Sequence, residues 1–458
     1  MFEGLGQLFF ISMSRVALHT LGCKLNFAET ATIARQFAER GFEVADFGTS
    51  VDVVVLNTCT VTEKADRECR QFVRRALRHS PGAYVIVTGC YAQLQPEQIA
   101  AITGVDLVLG SKEKFSVFEH ATFVKGQRAT VYVSPVQASV DTAMADSSGY
   151  NERTRAFLKI QDGCDYQCSF CTIPLARGSS RSAQIPEIVE RANRIAEEGY
   201  REVVLTGVNV GDYESSRSEN LIDVLNALES ISGIERIRIS SIEPNLLTDG
   251  LLRRWIESPK VCNHFHIPLQ SGSDSVLKAM RRRYNREYYA GRIGAIKAGA
   301  PDAGIGADVI VGFPGETDPM FEETYQFLTE QPLSYLHVFA YSERSNTRAV
   351  ELEGKVEVRV RNERSERLRI LSEKKRRAFC EGLRGTKVSV LFETPLQQGI
   401  QSGLTEEYVR VQVPSDHSLE NEIHGVLVND IQEGICIGQL NVKTEAMRIS
   451  THMESMVA

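Results

Sequence analysis

The sequence predicts an α/β protein in three units. These are an N-terminal parallel α/β domain over residues 14–125, a central partial (β/α)6 barrel over 150–383, and a small C-terminal all-β module over 384–449. Three observations carry that reading. The length of 458 residues suits three domains of about 150 residues each. Strand-like and helix-like periodicities alternate through the first two units, as βα repeats do. The last unit shows only short alternating runs between polar turns.

Residues 15–21 (RVALHTL) form a β-rich run, and 27–40 (FAETATIARQFAER) carry helical spacing that stops at Gly41, a natural C-terminal cap. Residues 51–57 (VDVVVLN) read as a buried strand, 62–79 as a strongly charged helix and 84–89 (YVIVTG) as a third strand. From 125 to 153 the pattern weakens, and MADSSGYNER has the composition of a linker. Alternation restarts at 156–161 (AFLKIQ), with further strands at 202–207, 236–241, 264–268, 306–311 and 335–340. An amphipathic helix covers 185–198. Another follows GFPGET, with Asp318 as the expected cap and Pro319 as the first helical residue. Six βα units in about 190 residues suit an open version of the eightfold barrel. A basic helix over 359–379 leads into KVSVLF, YVRVQV, GVLVND and ICIGQL, strands of a five-stranded barrel.

The composition is 42% hydrophobic and 24% charged, which excludes a disordered or fibrous chain. With 52 basic and 59 acidic residues the net charge is −7, so contact with RNA has to come from local patches. No apolar run is long enough for a membrane span. The first dozen residues (MFEGLGQLFFIS) carry no lysine or arginine, unlike a signal peptide, and read as an extension before a second start at Met13. A cytoplasmic location is expected. Ten cysteines are too few for a disulfide scaffold of this size, which leaves core residues, catalytic thiols or metal ligands.

Their placement is informative. Cys164, Cys168 and Cys171 (DGCDYQCSFC) are spaced C-x3-C-x2-C directly after a strand. Soft thiolates so close together suit an iron–sulfur cluster or zinc. A structural zinc site wants a fourth ligand, and none lies nearby in the sequence. Cys23, Cys59 and Cys90 each follow a strand of the first unit (LHTLGC, VVVLNTC, YVIVTGC). Ligand sites of parallel sheets collect at those strand ends, so the three share one sheet edge. Cys69, Cys262, Cys380 and Cys436 have no such placement and read as structural.

The central motif, with Phe170 as its aromatic, resembles the signature of the radical S-adenosylmethionine superfamily. The resemblance implies a 4Fe–4S cluster with one open iron that chelates the cofactor's methionine portion and cleaves its sulfonium to a 5′-deoxyadenosyl radical. Across residues 14–449 the chain further resembles the methylthiotransferase family, which adds an N-terminal cysteine domain and a small TRAM module. That likeness implies a second 4Fe–4S cluster on Cys23, Cys59 and Cys90 as sulfur carrier. It also implies S-adenosylmethionine as both methyl donor and radical source, an electron donor such as flavodoxin or ferredoxin, and no membrane partner. TLGCKLN, LNTCTVTEKADRECRQ and VTGCYAQ are most similar to the branch that modifies carbon 2 of N6-threonylcarbamoyladenosine beside the tRNA anticodon. The isopentenyladenosine and ribosomal-protein aspartate branches are the alternatives within the family. A cluster-holding RNA-binding module without catalysis is the alternative outside it.

Other strand ends supply candidates for the cofactor pocket: Gly207 and Asn209, Glu243 for ribose hydroxyls, His266, Gln270 and Ser271, then Gly312 and Glu316. A satisfied histidine without a catalytic role explains His266 equally well. Arg177 and Arg181 are read as steering a phosphate or the cofactor carboxylate, or as solvated loop residues. HVFAYSERSNTRA departs from the proline-rich loop of many relatives at Ala340, Glu343, Ser345, Asn346 and Arg348. For RNA, residues 384–449 hold five basic residues (Arg384, Lys387, Arg410, Lys443, Arg448) against nine acidic ones and make a poor anchor. Better anchors are 62–79 (Lys64, Arg67, Arg70, Arg74, Arg75, Arg78) and 359–377 (Arg359, Arg361, Arg364, Arg367, Arg369, Lys374, Lys375, Arg376, Arg377). Solvated helix faces would look the same.

Overall fold

A computed structural model of the chain describes residues 14–60, 63–136, 144–150, 154–395, 397 and 399–440. Met13, residues 1–12, the side chain of Lys64, and Lys443 and Arg448 lie outside what is described, as do 137–143 and 151–153 of the expected linker.

The first unit is a parallel sheet of β1 (Arg15–Thr20), β2 (Glu43–Ala45), β3 (Val53–Thr58), β4 (Tyr84–Gly89), β5 (Leu107–Leu109) and β6 (Thr130–Tyr132), in the order β2-β1-β3-β4-β5-β6. VVVLNT and YVIVTG are buried along their whole length. Helices cover both faces of the sheet, which is why these strands run unbroken in apolar residues. α1 (Lys24–Ala38) packs on one face through Phe27, Ile33 and Phe37. α2 (Glu63–His79) packs on the other through Cys69, Val73 and Ala76. α1 begins ahead of the expected Phe27, with Cys23 as its extended cap residue at ψ 172°. The strand order reverses between β1 and β3, the topological switch point where doubly wound sheets open a crevice. Cys23 and Cys59 follow those two strands, and Cys90 opens α3 (Cys90–Leu94) after β4.

The expected linker contains two strands, β6 of the first sheet and then β7 (Ala145–Asp146), antiparallel to β8 (Arg155–Lys159). Charge explains the second: buried Asp146 receives Arg35 of α1 at 2.8 Å and Arg191 at 2.7 Å, pinning the first unit to the barrel. A short antiparallel pair follows, β9 (Gln161–Asp162) with β10 (Arg181–Ser182). The remaining barrel strands are β11 (Glu202–Thr206), β12 (Arg236–Ile239), β13 (His264–His266), β14 (Gly304–Val311) and β15 (Tyr335–Ala340). β8, β11 and β12 pair in parallel, as do β13, β14 and β15, and an Ile237–Val261 bridge links the two groups. This is the expected open barrel. The helix after GFPGET runs Asp318–Glu330 with Thr317, not Asp318, in the cap position. Asp318 is already helical, and its carboxylate pairs with Arg364 at 2.6 Å.

The C-terminal unit is a closed barrel of β16 (Lys387–Phe392), β17 (Ile400–Thr405), β18 (Arg410–Pro414), β19 (Ile423–Gln432) and β20 (Ile435–Leu440). Sequence patterning missed β17, because IQSGLT has no clean alternation and becomes a strand by pairing with β16 and β18. The helix Val358–Gly382 joins the two barrels, with Leu368 and Leu371 in the central core and Cys380 in the C-terminal one. Its expected basic face is mostly spent on structure. Arg361 holds Glu343 at 2.7 Å, Arg364 holds Glu316 at 2.5 Å and Arg367 holds Glu322 at 2.6 Å. In the altered loop, Glu343 is thereby anchored and Asn346 takes a left-handed turn at φ 68°. No described helix is long and apolar enough to cross a membrane.

Candidate functional site

The three N-terminal cysteines are brought together by two glycines. A side chain on Gly22, at φ 108°, would reach within 2.6 Å of Cys59 Cβ. One on Gly89, at φ 98°, would collide with the Thr58 backbone. Only glycine lets these loops close on one another. Asn26 Nδ2 stitches them further by donating to the carbonyls of Leu21 (2.9 Å) and Thr58 (3.1 Å). Cys23 is exposed, Cys59 half-buried and Cys90 buried. Although Cys23 is exposed as a residue, the protein packed around its sulfur pushes the thiol up, Arg177 opposes this, and neighbouring Cys90 adds to it.

Arg177 is not a solvated loop residue. It is buried, donating to Glu29 Oε1 (2.9 Å), Asn26 Oδ1 (2.7 Å) and Asp162 Oδ1 (3.0 Å). Lys114 and Lys159 also contact Glu29, at 2.6 and 3.0 Å. Two buried carboxylates thus face three buried cations. Arg177, with Lys114 and Lys159, holds Glu29 well below the usual carboxylate range, while burial pushes Lys114 down to about 8. Arg181 closes the rim of this network at 3.2 Å from Asp162. The excess positive charge lies beside Cys90. The network suits an anionic group on the cysteine triad.

The central cysteine segment leaves β9 with its sulfurs already hydrogen-bonded. Tyr166 N donates to Cys164 Sγ (3.4 Å), Ile173 N to Cys171 Sγ (3.5 Å) and Arg282 Nη1 to Cys168 Sγ (3.0 Å). Burial pushes the Cys164 thiol to about 11 and Cys171 to about 12, with neighbouring thiols adding to both shifts. A bound cation reverses that balance, since thiolates are the metal-ligating form. Beside Cys171 lies a cavity of about 230 Å³ lined by Phe170, Gln270, Asp308, Ile310, Phe339 and Tyr341. Phe339 is 46% exposed, an apolar ring left open on the barrel lumen.

The other expected residues divide. Gly207 lies against Gln161, which also accepts from Asn209 N at 2.9 Å. Both polar side-chain atoms of buried Asn209 lack a protein partner, the signature of a group awaiting a polar ligand. His266 bonds Asp308 at 2.9 Å, and His337 stands across its ring at 5.4 Å. Glu243 is engaged with Arg282, the donor to Cys168. Ser271 turns away from the cavity toward Thr324 (3.2 Å). Gly312 is pressed against Arg361, and its N–H donates to Glu316 at 2.8 Å. Glu316 is thus a buried structural acid. Cys69, Cys262, Cys380 and Cys436 are buried, as expected. Sequence reading missed Glu29, Lys159, Asp162 and Arg282. The signal for Lys159 was there, a lone charge inside AFLKIQ.

These residues fit two clusters and the cofactor: two sets of three thiols, cationic or amide donors at the sulfurs, and an orphaned polar side chain, Asn209, past a strand end. Residues 158–328 match the Radical SAM superfamily, and residues 15–110 match the Uncharacterized protein family UPF0004. A Bacillus subtilis (strain 168) relative, "Threonylcarbamoyladenosine tRNA methylthiotransferase MtaB", is 41% identical over 87% of this chain and 90% of its own length. The chain belongs to the MtaB family of tRNA methylthiotransferases.

An Aquifex aeolicus (strain VF5) protein of the same MtaB name is 39% identical over 87% of this chain and 96% of its own. Among solved structures, the radical S-adenosylmethionine methyltransferase TsrM of Kitasatospora setae superposes with a TM-score of 0.53 at 12% identity, covering 85% of this chain and 80% of that one. At that identity it shows the fold alone. As an MtaB-family member the chain is a radical S-adenosylmethionine methylthiotransferase, and its family implies the cofactor and one 4Fe–4S cluster.

Proposed function

We propose that this chain inserts a methylthio group at carbon 2 of N6-threonylcarbamoyladenosine next to the anticodon of tRNA. It would use one 4Fe–4S cluster on Cys164, Cys168 and Cys171 and a second on Cys23, Cys59 and Cys90. The supporting observation is the pairing of the two thiol sets. The segment after Cys171 and the helix after Cys23 meet at one buried guanidinium, Arg177. When bound, the central cluster and S-adenosylmethionine supply the radical that removes hydrogen from a carbon with no acidic proton, and the second cluster supplies sulfur.

The chain's own residues do the rest. Arg282 and the Tyr166 and Ile173 amides orient the central sulfurs. Asn209, Gln270 and Phe170 take the cofactor, with Gly207 giving it room. His266 and Asp308 order the lumen, and Phe339 offers a stacking face for a base. The exposed arginines of α2, Arg74, Arg75 and Arg78, grip the RNA backbone from the far end of the helix that starts after the Cys59 loop. On the long helix Arg369, Lys374, Arg376 and Arg377 are turned to solvent for the same task, beside the exposed Arg359 and Arg367 that pair with Glu363 and Glu322. The working units are 14–125, 150–383 and 384–449, in the cytoplasm.

The test is metal content with product analysis. About eight irons per reconstituted chain support two clusters, and about four refute the second. Replacing Cys23, Cys59 and Cys90 by alanine should leave 5′-deoxyadenosine formation intact and abolish methylthio product. Mass spectrometry of tRNA nucleosides and ribosomal proteins from a deletion strain identifies the substrate. A changed ribosomal aspartate, or a changed isopentenyladenosine, overturns the assignment. Absence of 5′-deoxyadenosine from the reduced protein would leave a cluster-holding RNA binder.

A further inference from the structure

The barrel lumen holds a second recess, about 390 Å³, toward the starts of the strands. Arg155, Arg376 and Arg410 line it together with the acids Glu407 and Glu433, beside Tyr335, His337 and Tyr408. It adjoins the cavity beside Cys171 along β15. Tyr335, His337 and Phe339 alternate with inward-buried neighbours on one face of that strand. His337 and Asp308 form the layer between the two spaces.

The far wall is built with care. The turn between β17 and β18 enters the lumen and is held by two buried arginines. Arg236 donates to the Leu404 carbonyl (3.0 Å), and Arg238 to those of Thr405 (3.1 Å) and Glu406 (2.8 Å). At the end of the turn Tyr408 is locked at φ 69°, a conformation that a tyrosine takes only where surroundings enforce it. Three cations surround its ring: Arg238 at 5.2 Å, Arg155 at 5.6 Å and Lys24 at 6.0 Å.

Two of the three have carboxylate partners. Arg238 holds Glu202 at 2.7 Å, and Arg155 holds Glu393 at 3.1 Å. Lys24 has none: among the described residues its ammonium makes no hydrogen bond or ion pair, and its one contact of this kind is the Tyr408 ring. No carboxylate touches this half-buried ammonium beside two arginines, Glu202 acting on it only at longer range, and an anion reaching it past Tyr408 completes the set. Lys24 also immediately follows Cys23, so it stands where the sulfur site meets the lumen.

We infer that Lys24 is a specificity-determining residue that binds the carboxylate of an amino-acid substituent on the substrate adenosine, with Tyr408 walling the recess that receives it. The inference rests on the proposed reading of the substrate as N6-threonylcarbamoyladenosine. On an adenine ring the N6 substituent and carbon 2 flank the same nitrogen. A base lying on Phe339 with carbon 2 toward the cysteine sites therefore sends that substituent past His337 toward Lys24. Plain or isoprenoid-substituted adenosine brings no charge to meet it.

The experiment measures equilibrium affinity of the full chain for anticodon stem-loop RNA in two forms, one carrying N6-threonylcarbamoyladenosine and the other its carboxamide. The wild type should prefer the carboxylate form by about 10–100-fold. Lys24→Met should bind both forms equally, and Lys24→Arg should restore most of the preference. Because the readout is a ratio, general damage near Cys23 weakens both forms alike and leaves it unchanged. A retained preference in Lys24→Met, or no preference in a wild type that still makes methylthio product from the first RNA, overturns the role of Lys24. A wild type that makes no product from that RNA overturns the substrate reading instead.

Discussion

Arg177 and Glu29 meet at 2.9 Å with 2% and 0% of their side chains exposed, in one of the most deeply withdrawn ion pairs of the molecule. Glu29 belongs to the helix that starts after Cys23, and Arg177 ends the short helix that follows Cys171. The relative placement of the two cysteine sets therefore depends on this contact. Lys114, Lys159 and Asp162 surround it, so neither partner can be lost without leaving charge stranded.

Replacing Glu29 by glutamine should cost about 3–5 kcal/mol, because three buried cations lose their shared acceptor. Urea denaturation measures it. Combining Glu29→Gln with Arg177→Met should cost clearly less than the sum of the two single changes. Additive losses would show that the pair does not act as a unit.

Acid should dissolve the same junction. Glu29 and Asp162 are both held well below the usual carboxylate range, by Arg177 and Lys159 respectively with their neighbours. A depressed carboxylate contributes stability that is fully present above its unfolded value and is lost as pH falls toward its folded one. Stability should therefore decline from about pH 5 downward. In Glu29→Gln that decline should be shallower. An identical acid slope in the two proteins would remove Glu29 from the cause.

Arg282 links Glu243 to the Cys168 sulfur, and groups in that position tune and orient ligands. Arg282→Gln should slow 5′-deoxyadenosine formation by about 10–100-fold. Ion content at the N-terminal site should not change, which iron analysis in a Cys164→Ala, Cys168→Ala, Cys171→Ala background can check.

Reversing Arg74 and Arg75 to glutamate should weaken tRNA binding and lower the slope of log affinity against log salt by about 1–2. Both side chains are exposed, and Arg75 lies 5.6 Å over the Phe47 ring, so the helix itself should survive. Circular dichroism of the variant checks this. Unchanged affinity and slope would move the RNA interface elsewhere.

Much of this molecule was readable without coordinates, because period and punctuation are local. VVVLNT, YVIVTG and YLHVFA are strands by composition alone. The cysteines could be assigned to strand ends because every parallel strand must deliver its next residue to the same edge. The failures were equally physical. IQSGLT is a strand only because β16 and β18 need a partner between them. Asp146 sits in an apparent linker and is fixed by Arg35, more than a hundred positions away.

The sequence by itself determined the architecture, the six cysteines at strand ends and the family. Those rest on residue type, spacing and order, which survive any detail of packing. The tertiary structure decided the use of each charge. Arginines that looked like a phosphate grip, Arg177, Arg361 and Arg364, are buried partners of Glu29, Glu343 and Glu316. Lys24, unremarkable in TLGCKLN, is the one cation around the Tyr408 ring with no carboxylate in contact among the described residues. The physical reason is that a charge's role depends on what stands within a few ångströms of it in a poorly screened interior, and that neighbour comes from another part of the chain.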